Sequence, residues 1–187
     1  MKHLNFFVIT LFASSLKAQQ PTSDTTNVAR KILTYAKSKL GAPYGWGGRE
    51  TKKNPNLDCM GLCFRAYAST FGDKWYKYSV IPSELIKSGK LGDVVLKGNP
   101  VNEASIEAMK PGDVVYILIN FNFSTKSAET NNKAVAVIND QKYWVFHMGI
   151  YSRDGKMIHA SPWDSKVVEE SIAERFTGYY IMTTRRK

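Results

Sequence analysis

Apolar side chains recur at helical spacing at Val28, Ile32, Tyr35, Ala36 and Leu40, with Asp24 or Thr25 placed to cap the start and Gly41 to stop the run. The stretch Gly41-Ala-Pro-Tyr-Gly-Trp-Gly-Gly48 holds four glycines and a proline, so it is loop or short extended chain that displays Tyr44 and Trp46 on irregular backbone. Arg49 to Leu57 continues as polar loop. Helical patterning resumes at Asp58, with Leu62, Cys63, Ala66 and Tyr67 on one side and Gly72 as the stop; Asp58 is the expected cap and Cys59 falls in the first turn. Pro82 to Ile86 and Asn102 to Met109 predict short helices. The β-branched run from Asp113 to Ile119 predicts a buried strand after a Pro-Gly turn. Asn120 to Lys133 is polar loop. Ala134 to Ile138 and Tyr143 to Tyr151 predict strands joined by an Asn139-Asp140 turn, and Lys156 to Ala160 is the strand returning from Arg153-Asp154-Gly155. Val167 to Phe176 reads as mixed turn and helix, and Tyr179 to Thr183 as a last strand. Leu91-Gly-Asp-Val-Val95 and Pro111-Gly-Asp-Val-Val115 look alike, a likeness too short to argue a repeat. Helices first and an antiparallel sheet afterwards is the α+β class.

The first residues differ from the rest. Lys2 and His3 make a short basic start, Leu4 to Leu16 is mostly apolar, and Lys17-Ala18 follows, which is the pattern of a secretory signal peptide over residues 1–18. The apolar run is too short to span a hydrocarbon core of ~30 Å as a helix, so no stable membrane anchor is expected. Residues 19–26 then form a polar leader and 27–187 one catalytic-sized domain with an insertion around 120–142. Cleavage after Ala18 lowers the formal net charge from +10 to +8, which suits carboxylate-rich partners but selects none. Two cysteines cannot make a disulfide framework, and no Cys/His cluster has metal-site spacing, so neither metal nor cofactor is expected.

The mature chain would retain two cysteines, Cys59 and Cys63, and two histidines, His147 and His159. A cysteine at a helix N-terminus gains from orphan N–H groups and the positive end of the helix dipole, both of which favour thiolate. The bland alternative for Cys59 is a buried structural thiol, and Cys63 suits a small core position. A Cys59–Cys63 bridge is disfavoured by i,i+4 geometry on a helix. A nucleophilic cysteine needs a base, and both histidines fall on predicted strands of one hairpin. A two-residue loop at Asp154-Gly155 would set His159 opposite Ile150 and turn the histidines to opposite faces. A three-residue loop, Arg153-Asp154-Gly155, would set His159 opposite Gly149 and bring both to one face, so a shared role predicts the odd-length turn with a glycine bulge.

Pro43-Tyr-Gly-Trp-Gly-Gly48, Asp58-Cys-Met-Gly-Leu62, Lys110-Pro-Gly-Asp-Val114, His147-Met-Gly-Ile-Tyr151 and Met157-Ile-His-Ala160 together resemble the NlpC/P60 family of papain-like cysteine peptidases, in the family's order and over roughly residues 27–183. The resemblance implies a papain-like fold, with Cys59 attacking a peptide carbonyl, His147 as base and then acid, and His159 orienting His147. It further implies an oxyanion held by the Cys59 N–H and the Tyr44 hydroxyl, Asp58 beside the substrate's free amine, and Trp46 among the substrate-binding residues. The implied substrates are peptidoglycan stem peptides, cut at the γ-D-glutamyl bond to diaminopimelate or lysine, in the periplasm or outside a bacterial cell. No nucleic-acid partner is implied, and the sequence names no protein inhibitor. Three departures stand out: Met60 replaces the usual serine, Asn120–Lys142 lengthens the spacing before His147, and no SH3-like wall-binding module is evident. Two alternatives are an amidase or acyltransferase on another acyl substrate, and a non-catalytic protein that binds wall fragments.

Overall fold

The apolar run after Pro111-Gly112 is a strand buried on both faces, which is why it lacks alternation. In the computed structural model, which describes residues 23–74, 82–120 and 134–187, this strand is β2 (Val114–Ile119). Before it come α1 (Ser23–Ser38), α2 (Cys59–Phe71), α3 (Pro82–Ser88), β1 (Asp93–Pro100) and α4 (Glu103–Glu107). After it come β3 (Ala136–Ile138), β4 (Gln141–Arg153), β5 (Lys156–Ser161), β6 (Lys166–Ser171), α5 (Ile172–Arg175) and β7 (Tyr180–Arg185). The expected signal peptide and part of the leader, and most of the 120–142 insertion, lie outside the described residues. The strands form one antiparallel sheet in the order β1-β7-β2-β4-β5-β6, with β3 paired to β4. Val114, Tyr116 and Leu118 face a core made with Ile32 and Ala36 of α1 and Leu62, Phe64, Ala66 and Tyr67 of α2. Val115 and Ile117 face a smaller cluster with Ile172, Phe176 and Ile181. The fold is α+β, as expected. Among the described residues no helix is long and apolar enough to cross a membrane.

Three elements differ from the sequence expectation. α1 begins at Ser23, inside the expected leader, because polar first-turn residues carry no apolar period. β1 was hidden because Val94 and Val95 are both largely exposed on an edge strand whose pairing with β7 is interrupted twice. Val167–Phe176 is a strand followed by one helical turn rather than mixed turn and helix; β6 is the other edge, and its adjacent valines and glutamates show no period of two. The two Gly-Asp-Val-Val segments enter β1 and β2, which flank β7 so that Val94 and Val114 both pair with Thr184.

Asp113 fastens this centre. It is 1% exposed, its two carboxylate oxygens each accept from the Arg185 guanidinium at 2.7 Å, and one also accepts from the Lys110 N–H at 2.8 Å. Tyr67 donates to the Gly112 carbonyl beside it at 3.1 Å, tying α2 to the same turn. Removing the carboxylate leaves Arg185 unpaired at the β2–β7 junction, so Asp113→Ala lowers the unfolding free energy by about 3 kcal/mol in urea titration.

Candidate functional site

The Asp58 side chain caps α2 by accepting from the Gly61 N–H at 2.6 Å, and Cys59 is the first residue of the helix. Gly61 is required here by contact: a Cβ would stand 2.1 Å from the Gly48 carbonyl oxygen, so α2 and the glycine-rich loop touch backbone to backbone. The second Asp58 oxygen accepts from the Gly47 N–H at 3.1 Å, and Arg49 forms an ion pair with the same carboxylate. Glu50 anchors the far side of the loop, accepting from Tyr35 at 2.5 Å and pairing with Lys39 and Arg65. Asp58 is 4% exposed and spends both oxygens on this framework, so holding a substrate amine would compete with Arg49.

Cys59 is partly buried, and the backbone N–H groups of Met60 and Met148 lie near enough to its sulfur to favour the thiolate. The thiol thus meets β4 one residue from His147. Burial, and then the Asp58 carboxylate, push the Cys59 thiol up to about 12 against the two N–H groups that lower it. Cys63 is a fully buried free thiol in the core beneath α2, as its spacing suggested. Met60 packs its side chain against the same core. Tyr44 lies near enough to Cys59 and Asp58 for their charges to add to burial in raising its phenol. Trp46 is 88% exposed, and the structure does not bring it against the other candidates.

The histidines are joined. His147 Nε2 and His159 Nδ1 are 2.7 Å apart, the rings meet edge to face, and both are buried. Phe176 packs against the two rings and Trp163 against His147. Both histidines share a face because β4 and β5 pair Ile150 with Ile158 and Tyr151 with Met157, the register that sets His159 opposite Gly149. The parity expected of a shared role is therefore present, but its origin differs. The turn has two residues, Asp154 and Gly155, both at positive φ, and the extra residue is a bulge at Ser152, whose hydroxyl donates to the Lys156 carbonyl at 3.1 Å. A second bulge at Phe146 shifts the pairing of β4 with β2 immediately before His147. Gly149 is needed for the approach of β5, since a Cβ there would stand 2.8 Å from the Cβ of His159.

Burial, then the neighbouring His159 and Arg175, hold His147 down at about 3; burial lowers His159 too, opposed by Glu170. Glu170 was missed by sequence reasoning. Its carboxylate lies 2.8 Å from His159 Nε2 and is also paired with Arg175. It can be found only from the β6 register, in which Val168 faces His159 and Glu170 is the next residue on that face. Among the described residues no hydrogen bond joins Cys59 to His147, and no group of three or more His, Cys, Asp and Glu side chains is arranged to hold a metal ion.

Outside this chain, no curated protein matches the sequence. Among solved structures it is similar to an NlpC/P60 family protein from Bacillus cereus, at 19% identity and a TM-score of 0.51, covering 84% of this chain and 39% of that one. It is similar also to the peptidoglycan hydrolase RipB from Mycobacterium tuberculosis, at 18% identity and 0.53, covering 95% and 73%. RipD from the same organism, described as a non-catalytic NlpC/p60 domain protein adapted to peptidoglycan binding, matches at 17% identity and 0.52, covering 86% and 98%. These likenesses are of fold, and the chain spans 39% of the Bacillus cereus protein. The model of the NlpC/P60 family matches residues 41–186, from the glycine-rich loop through β7, and the chain belongs to that family.

Proposed function

We propose that this protein is a secreted cysteine endopeptidase that hydrolyses peptidoglycan stem peptides at the γ-D-glutamyl bond to diaminopimelate or lysine, with Cys59, His147 and His159 as its triad. The reading rests above all on two buried histidines joined at 2.7 Å across β4 and β5, with the Cys59 thiol lying against β4. With His147 Nε2 engaged by His159, Nδ1 is the nitrogen left to serve the thiol. As Sγ attacks the carbonyl carbon, the thiol proton passes to His147 and the carbonyl oxygen gains the negative charge, stabilised by the Cys59 N–H and the Tyr44 hydroxyl. Collapse expels the amine, which takes the proton from His147 and leaves a thioester on Cys59. Water, deprotonated by His147, then attacks the thioester; the acid departs and the proton returns to sulfur. The basic, apolar start of the chain supports secretion to the periplasm or exterior.

The resting state favoured by burial is a neutral pair, thiol and imidazole, so His147 acts as general base during attack. The same depression fixes a pH effect on stability. The unfolded chain binds a proton at this imidazole near the ordinary 6.5 and the folded chain only near 3, so between these values the unfolded state holds more protons. Stability therefore falls as pH drops from about 6.5 towards 3. Melting curves at pH 7 and pH 4.5 will show a loss of several degrees in the wild type that is smaller in His147→Gln; equal losses in the two would contradict this.

The proposed activity is tested by mass spectrometry of peptidoglycan fragments after incubation with the protein. New fragments appear with the wild type, whose masses name the bond, and none with Cys59→Ala. His147→Ala slows release on the order of 10³-fold, and His159→Ala by less. The same fragments from Cys59→Ala would overturn the nucleophile assignment. Stem peptides bound but uncut by the wild type would place this protein with the wall-binding alternative.

A further inference from the structure

We propose that Glu170 is a positioning residue that, acting through His159, fixes which nitrogen of His147 is the base. The functional half of this rests on the peptidase reading above; the structural half stands without it. A carboxylate only accepts hydrogen bonds, so the 2.8 Å contact makes His159 Nε2 the donor to Glu170. A neutral imidazole carries one N–H, which leaves His159 Nδ1 as an acceptor. The 2.7 Å contact then makes His147 Nε2 the donor, and His147 Nδ1 keeps its lone pair. At 3% and 0% exposure the two rings leave water little access to replace either bond, so the order of donors is set from the carboxylate end.

Glu170 is itself held in place. The oxygen that faces His159 is also ion-paired with Arg175 Nε at 3.2 Å, and Arg175 donates to Asp164 at 3.1 Å while lying over the Trp163 ring at 4.7 Å. Asp164 accepts in turn from the Ser161 hydroxyl at 2.6 Å. Trp163 packs edge to face on His147, so one clamp closes over both ends of the relay. The charged groups that act on the two rings are thus Asp164 after β5, Glu170 on β6 and Arg175 on α5, with Cys59 at the start of α2 lying near Met148, the residue after His147.

Glu170→Gln tests the assignment in the full chain. Glutamine keeps the size, but its amide can donate to His159 Nε2; His159 Nδ1–H then donates to His147 Nε2, and His147 presents Nδ1–H, which has no lone pair for the thiol proton. Nitrogen-15 NMR of the imidazoles, with His3 assigned by His3→Gln, will show both rings as Nε2–H tautomers in the wild type, a shift to Nδ1–H in Glu170→Gln, and recovery in Glu170→Asp. Fragment release by Glu170→Gln will fall in kcat on the order of 10- to 100-fold with KM little changed, and Glu170→Asp will restore most of it. Unaltered tautomers in Glu170→Gln, or a wild-type His147 protonated at Nδ1, would overturn the proposal. Should the wild type cut no peptidoglycan, the peptidase reading fails while the tautomers still decide the role of Glu170.

Discussion

The site depends on one buried hydrogen bond between two side chains of neighbouring strands, His147 Nε2 to His159 Nδ1. A strand alternates its faces with a period of two, so a slip of one residue would turn one ring away and dissolve the pair. Bulges at Phe146 and Ser152 set the register on either side of His147, the first against β2 and the second against β5. Between them Gly149 lets the His159 backbone close in where any side chain would collide. The β4–β5 hairpin is thus shaped around the pair, and Phe176 and Trp163 seal it from solvent.

The thiol is delivered from the other half of the molecule by a framework of similar economy. The Asp58 carboxylate caps α2, accepts from the Gly47 N–H and pairs with Arg49, so the start of the helix and the glycine-rich loop are one unit. Gly61 permits their contact, and the Cys59 sulfur then reaches the Met148 N–H of β4. The acidic residue next to Cys59 serves this framework first. Its carboxylate also opposes ionisation of the thiol, which the helix N-terminus alone would favour.

Legibility followed the strength of periodic and capping signals. α2 was readable from Asp58 to Gly72 because its cap, apolar stripe and left-handed stop agree, and β2 because burial on both faces makes a continuous apolar run. The parity of the histidines was readable as a condition on the hairpin, but not its source, since a bulge at Ser152 leaves no mark in composition. β1 and β6 were not readable because edge strands with few buried residues need no alternation. Glu170 was lost with β6, as a carboxylate eleven positions from His159 becomes its neighbour only through strand pairing.

In the proposed mechanism the resting site holds a neutral thiol and a neutral imidazole, since burial opposes charge on both. The rate of Cys59 alkylation by iodoacetamide as a function of pH tests this most directly, Cys63 being fully buried. Alkylation will be slow near pH 7, and its rate will keep climbing beyond about pH 9, above the ordinary thiol range. A plateau of full reactivity between about pH 5 and 7, the mark of a preformed thiolate and imidazolium, would contradict the neutral pair.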